Sequence, residues 1–585
     1  MTIGESKIAP RTVTLSSFQH PKFSAMSSQA ESSLPERPKE DGATGATEEG
    51  APLSKSAQKK LEKDRIKAEK AAKRLAQEEA EKAKADANDT SKHLYGPLSK
   101  ASPRPAKKYC SRLSELQEID DGEEVTVQAR VYNARVQSAK LAFLVIREQE
   151  HTIQAVIAEG GDHGISRQMV KFCGGINTES CIRVTGLIKA PKEPVHSTTL
   201  SNKELHIESI YVVSSAEEQL PLQVKDCLKP PSAKDEGEET DANDPNATLK
   251  TRLDSRVIAL RAPATNAIFQ LQSEICSIFI QYMLSHSFTM MQPSFLAGAA
   301  TEGGSGVFEV SYFERKAYLT QSPQFFKQMA IAGDMGPVFA IGPVFRAENS
   351  NTKRHLTEFT GLDFEMPIKK HYHEVLSFGE DLMLHVIREL LTRPKCQRLT
   401  QVIKEAGYTD AGNFRIPKEG EKATRITFAE AKSLLKESGY DIGPDPHADI
   451  DTAQEKALGD IIAQKYNTDF FTIDQYPLSL RPFYTYPSPS NPALSNSYDF
   501  FMRGQEIMSG AQRIHELELL KEVMKSKGVD PEDKGFKDYE DAFRYGCPMH
   551  GGGGLGLNRI LQFFLGLNNI REATMWVRDP VRLGP

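Results

Sequence analysis

Arg346, Glu348, Phe359, Asp363 and Glu365 all fall inside GPVFRAENSNTKRHLTEFTGLDFEM, residues 342–366. If Val338 to Glu348 is a strand, side chains alternate, so Arg346 and Glu348 share one face while Phe339, Ile341 and Phe345 share the other. The same count puts Phe359, Asp363 and Glu365 on one face of a second strand and Leu362, Phe364 and Met366 on its opposite face. One side is then core. The other gathers an arginine, an aromatic ring and two carboxylates beside a polar loop bearing Lys353, Arg354 and His355. Such a surface suits a nucleotide next to an amino acid. A plain ion pair between Arg346 and Glu348 is the competing reading.

Further along, Gly551-Gly-Gly-Gly-Leu-Gly-Leu precedes Arg559. Missing side chains there would let backbone approach a ligand closely before a helix begins. Asp499 and Glu506 are hard oxygen donors, and magnesium favours a few carboxylates plus substrate phosphates. Turn or helix-cap acids are the alternative. His550, beside the glycines, reads as a turn residue rather than a general base.

Elements able to position these groups need more than one core, and 585 residues predict two or three domains plus tails. The formal charge of -6 is unevenly spread, because Leu53 to Leu75 holds nine Lys or Arg against three acids. Seven scattered cysteines without a CxxC pair point to a reducing compartment and away from a zinc ribbon. No apolar run approaches the roughly 20 residues that span a bilayer, so the chain reads as soluble.

Residues 1–52 read as a disordered tail. The first 25 also have the Ser/Thr-rich, acid-poor outline of an organellar transit segment, and both readings stay open. Residues 53–86 lose Pro and Gly, and Lys55, Lys59, Lys63 and Lys67 recur every four positions as a basic helix stripe. That stripe suits phosphates or is simply solvated. A linker, 87–108, leads to five short strand patterns within 109–216, interrupted by a helix near Ile165 to Phe172, the count of an OB barrel. Phe143, inside LAFLVI, could be core or a stacking platform. Residues 217–250 form a polar hinge and 251–585 the remaining domain, where Asn266 to His286 shows a helical apolar stripe.

FRAE, the polar loop and the following strand resemble motif 2 of the class II aminoacyl-tRNA synthetases. Met290-Met-Gln-Pro293 is placed like motif 1, and GLGLNR like motif 3. Gln321-Ser-Pro-Gln-Phe-Phe-Lys327 and Ser509-Gly-Ala-Gln-Arg513 narrow the resemblance to the aspartate-specific branch of subclass IIb, of the cytoplasmic eukaryotic type. The resemblance implies an OB-fold β-barrel followed by an α+β catalytic domain on an antiparallel sheet flanked by helices. It implies ATP and Mg2+, the substrates L-aspartate and tRNA(Asp), a homodimer, no membrane, and a cytoplasmic site of action.

Carried over residue by residue, Arg346 bridges the α-phosphate and the reacting carboxylate. Glu302, Gln324, Lys327, Asp363, Ser509 and Arg513 join it around aspartate. Glu348, Arg354, His355, Leu356, Phe359, Glu506, Gly556 and Arg559 surround ATP. Asp499 and Glu506 take the metal, Phe143, Gln154 and Glu204 read the anticodon, and the lysine-rich helix binds tRNA. The chain departs from the family at Asn558, where glutamate is usual, at Asp474-Gln475, and at Trp576-Val577. Those departures leave room for a tRNA-binding regulatory or specialised paralogue, against which intact Arg346, Arg513 and Arg559 argue; a third reading, asparagine activation, is discouraged by Lys327 and Arg513.

Overall fold

The computed structural model describes residues 89–101, 107–161, 163–231, 246–298 and 306–584, together with Lys70 and Lys73. Residues 1–83 and 84–585 form two compact units. In the first, Lys70 and Lys73 are helical and exposed. Lys55, Lys59, Lys63 and Lys67 lie outside the described residues, as does Glu302.

The second unit opens with a barrel of β1 (Glu124–Ser138), β2 (Leu141–Glu148), β3 (His151–Ala158), α1 (Arg167–Gly174), β4 (Cys181–Lys189) and β5 (Glu204–Ser214). β1 pairs antiparallel with β2 and β4, β4 pairs with β5, and β5 closes the ring in parallel with β3. Alternate residues such as Val125, Leu144, Ile153, Ile182 and Leu205 fill the interior. Helix α1 starts where Ser166 accepts from the Met169 amide. Part of the expected linker belongs to the barrel, since Tyr95–Pro97 pairs in parallel with β5. The expected hinge also has structure: Val224 and Cys227 are buried against Ile258 and Ala262.

A buried ion cluster joins the barrel to the following domain. Arg147 grips both Glu179 oxygens at 2.8 and 2.9 Å and donates to the Arg261 carbonyl at 2.9 Å, while Arg261 reaches Glu179 at 3.0 Å. Arg398 pairs with Glu150 beside it.

The second domain begins with α2 (Pro263–Ser285), which starts earlier than its apolar stripe because proline suits a first turn. Its sheet contains β6 (Thr289–Met290), β7 (Val338–Phe345), β8 (Glu358–Pro367), β9 (Thr424–Thr427), β10 (Phe470–Asp474), β11 (Ser497–Met502), β12 (Gln505–Gln512) and β13 (His550–Gly556). The spatial order is β9-β10-β11-β12-β13-β8-β7-β6, antiparallel except at the two outer pairs. One face packs on α2, on α4 (His373–Thr392) and on α6 (Leu557–Leu565) through Phe339, Leu362, Phe364, Phe500, Leu376 and Phe564. Each such side chain contributes roughly 1.5–3 kcal/mol. The opposite face is left for the site, with α3 (Gln324–Ala332) along its edge and α5 (Thr452–Tyr466) at the far end.

β7 stops at Phe345 rather than Glu348. The Arg346 amide still bonds the Thr357 carbonyl at 2.9 Å, but the Ala347 amide turns away to the Gly306 carbonyl at 2.6 Å. Phe345 is only half-buried there and stands outside the core cluster.

Candidate active site

Strand register places the polar residues. Asp363 lies opposite Gly554, Gly554 opposite Ser509, and Ser509 opposite Asp499, which makes one row across four strands. Glu365 lies opposite Gly552 in the neighbouring row. The glycines serve packing inside the sheet more than ligand approach. A Cβ on Gly552 would stand 2.0 Å from the Phe364 carbonyl and 2.4 Å from Glu365 Oε2, and one on Gly553 1.9 Å from Met508 Cε. Of that run, Gly554 and Gly556 line the cleft.

At the closed end of the site, behind the wall that Asp363 gives the cleft, Lys327 Nζ donates to Asp363 Oδ1 at 2.8 Å and stands 3.5 Å from Glu365 Oε2. Arg513 Nε donates to Glu365 Oε1 at 2.9 Å and Nη2 to the Gly552 carbonyl at 3.0 Å. Both cations therefore carry protein counterions, because burial without them would be costly. Burial pushes the Glu365 carboxyl up, but Arg513 and Lys327 outweigh it and hold it below the ordinary range. Arg513 Nη1 keeps no hydrogen-bond partner among the described residues, and Gln324 Nε2 is buried without one. His550 is a buried strand residue rather than part of a turn. Burial pushes it down to about 4, so it stays neutral.

The open end belongs to a cleft of about 810 Å³, partly open to solvent, lined by Arg346, Glu348, Arg354, His355, Leu356, Phe359, Glu506, Gly556 and Arg559. The Arg346 guanidinium lies 5.7 Å over the Phe359 ring. Glu348 is 4.0 Å from it, and both side chains are more than two-fifths exposed, a contact of little energy. His355 is held by Thr352 at 2.6 Å. Burial, then the nearby Arg559 charge, lowers its pKa. Leu356 is buried with Leu253, Ile570 and Val577, so the ring wall here is apolar. Arg559 donates to the Glu506 carbonyl at 2.9 Å.

Between the ends stands Arg481, a residue that sequence reasoning missed. It donates to Ser509 Oγ at 3.0 Å and Asp499 Oδ2 at 2.8 Å, and its guanidinium lies 3.8 Å over Tyr476. Asp499 itself stands behind the cleft wall, with Oδ1 buried and unpartnered. Burial, opposed by Arg481 and reinforced by Glu506, pushes Asp499 up to about 6. An orphan buried oxygen beside a second carboxylate fits a divalent cation, and both acids are strand residues rather than caps. Gln321, Ser322 and Ile570 also line the cleft without having been foreseen.

On the barrel, Phe143 points outward: its neighbours Ala142 and Leu144 are buried and it is half-buried. The Arg135 guanidinium lies 5.4 Å over its ring. Gln154 faces Glu204 across β3 and β5 and donates to it at 2.5 Å.

Residues 248–580 match the model of the class II tRNA synthetases for D, K and N, and residues 125–213 match the OB-fold nucleic acid binding domain. The cytoplasmic aspartate–tRNA ligase of Homo sapiens is 44% identical over 88% of this chain and 99% of its own length. This chain belongs to the aspartate–tRNA ligase family of class II synthetases. A structure described as a putative aspartyl-tRNA synthetase of Leishmania major superposes with TM-score 0.75 at 35% identity, covering 85% of this chain and 99% of that one. The asparaginyl-tRNA synthetase of Pyrococcus horikoshii, in complex with asparaginyl-adenylate, reaches 0.66 at 26% identity, covering 80% and 97%.

Against that family, Asn558 is the departure closest to the cleft. Its Oδ1 accepts from the Thr360 amide at 3.1 Å, and its Nδ2 donates to the Ala573 carbonyl and Thr574 Oγ1, both at 3.0 Å. A carboxylate could serve the first contact but would face the second carbonyl without a proton. The C-terminal segment also braces the loop after β7, with Arg571 donating to the Thr352 carbonyl at 2.9 Å and Asn351 Oδ1 at 2.6 Å.

Proposed function

We propose that the cleft performs the family's two-step reaction with L-aspartate, ATP and tRNA(Asp). An α-carboxylate oxygen of aspartate attacks the α-phosphorus, the bond to the β-phosphate breaks, and pyrophosphate leaves. A hydroxyl of the tRNA's terminal adenosine then attacks the acyl carbon and AMP leaves. No protein nucleophile is needed. The barrier lies in bringing two anions together, which positioning and positive charge can lower.

Arg346 bridges the two reacting groups, Phe359 and Arg559 cover the adenine, and Glu348 and Leu356 complete the ring site. Arg354, His355 and Arg559 take the outer phosphates, with Gly556 leaving them room. Asp499 and Glu506 hold magnesium, which when bound neutralises phosphate charge and polarises the phosphorus. Arg513 Nη1 and Lys327 read the substrate's side-chain carboxylate, which offers two acceptors where asparagine offers one. Gln324, Asp363, Ser509 and Glu302 hold its ammonium and α-carboxylate. The observation that supports this reading most is the linked cluster of Lys327, Arg513, Asp363 and Glu365, buried behind the cleft wall and reaching the cleft through Asp363, in a cleft that Arg346, Arg354 and Arg559 also line.

Phe143, Gln154 and Glu204 read anticodon bases by stacking and edge contacts, and the lysine-rich helix 53–86 adds phosphate affinity. Edge strand β6, with Met290 and the neighbouring Leu284 and Met335 exposed, pairs with a second copy to form a homodimer. Among the described residues no helix is long and apolar enough to cross a membrane, and the cytoplasm, named for the relatives, is the compartment we assign. No observation favours a regulatory paralogue.

Exchange of pyrophosphate into ATP, run separately with aspartate and asparagine, tests the reading. Aspartate-dependent exchange is expected; none with either amino acid removes the activation step, and preference for asparagine reverses the specificity.

A further inference from the structure

Arg354 leaves the loop after β7 and reaches the first turns of α5 and the start of β12. Its Nη1 donates to Gln505 Oε1 at 2.9 Å and Glu455 Oε2 at 3.3 Å, and its Nη2 to Thr452 Oγ1. Thr452 and Glu455 sit on the first turns of α5, about a hundred residues from Arg354 in the chain and carrying none of the motif residues. A guanidinium has five N–H donors. Three are taken here, which leaves the Nε hydrogen and one on Nη2, without acceptors among the described residues. Those two form the kind of fork that grips a phosphate bidentately.

The brace is itself fixed. Gly459 of α5 meets the β11–β12 turn so closely that a Cβ on it would lie 2.4 Å from Gly504 Cα, and one on Gly504 would lie 2.7 Å from the Glu455 carbonyl. Backbone touches backbone at that point. Glu455 and Gln505 are therefore held at a set spacing, and they grip Arg354 from two elements in direct backbone contact. The Glu455 side chain is mostly buried, as is that of Arg354, so solvent does little to weaken their pairing.

We propose that Glu455, with Thr452 and Gln505, is a positioning group that aims Arg354 so its two remaining donors face the outer phosphates of ATP. The inference rests on the reading of this cleft as an ATP site. It gives α5 a role in activation without substrate contact.

The test measures pyrophosphate exchange and ATP binding for the wild-type chain, Glu455→Ala, Glu455→Gln and Gly459→Ala. Glu455→Ala is expected to raise the KM for ATP about tenfold with the KM for aspartate unchanged. Glu455→Gln keeps an acceptor and should recover most of the loss. Gly459→Ala, which wedges the helix away, should show the same ATP-specific defect at a temperature where it remains folded. A Glu455→Ala variant with an unchanged or lower KM for ATP would overturn the proposal, since Glu455 would then be idle or a competitor of phosphate. A wild-type chain without exchange would instead sink the ATP-site reading.

Discussion

Lys327 and Arg513, behind the cleft wall, are 0% and 4% exposed, whereas the Arg346 and Glu348 side chains, which line the cleft, are 44% and 43% exposed. The closed end is part of the folded core: its charges neutralise one another before any substrate arrives, and its geometry is set by the sheet. The open end hangs from a loop and a strand end, with its charges in contact with water. Discrimination between nearly identical amino acids needs donors that cannot relax around the wrong one. Gripping a phosphate chain that must leave after each turnover tolerates, and uses, a looser wall.

Breaking the closed end should have the largest effect. Arg513→Met leaves Glu365 buried against Lys327 alone, so urea denaturation should show a loss of about 3–5 kcal/mol. Unchanged stability would mean that water already relieves Glu365 and that the two ends do not differ in kind.

Arg346→Lys probes the open end. Losing its planar fork should lower aspartate-dependent exchange about 10²–10³-fold while the melting temperature stays put. A matching fall in melting temperature would place Arg346 in the folded framework and erase the contrast.

His550 sharpens the comparison through pH. Its pKa is pushed down to about 4 by burial, so its stabilising effect is full above the unfolded value near 6.5 and is lost as pH falls toward 4. The wild-type chain should lose about 2 kcal/mol more than His550→Gln between pH 7.5 and pH 5, read by denaturation at each pH. Equal losses would show that the closed end admits the proton without cost.

The smallest effect is expected at Asn558. Asn558→Asp removes the donor to Ala573 and Thr574, and should lower stability by about 1 kcal/mol. A neutral outcome would mean that α6 shifts to admit the carboxylate.

The faces of β7 and β8 were legible because alternation is a local property: Phe339, Leu362 and Phe364 go to the core, and Phe359 and Asp363 to the cleft. The barrel was legible for the same reason. Partnerships were not. Asp363 and Glu365 were legible as acids on the right face, but their pairing with Lys327 and Arg513 depends on contacts across strands. Arg481 and Glu455 carry no local signal at all, since one lies in an irregular loop and the other on a helix like many others. Phe143 sat in an apolar run that suits either face, and only the register of β1 with β2, with its two irregularities, turns it outward.

β1 is one strand of 15 residues, about 50 Å long at the usual rise. Midway along it, Arg130 donates to the Glu179 carbonyl at 2.8 Å and the Tyr132 ring lies 5.6 Å under Arg147, both within the cluster that joins the domains. Three residues beyond Tyr132, Arg135 lies over Phe143. In mechanical terms β1 is a beam clamped at its centre and loaded at its tip, with compliance only at the bulges flanking Tyr132 and near Val136. A load applied at Arg135 and Phe143, where the proposed anticodon contact lies, would thus run along covalent backbone to the clamp between the domains.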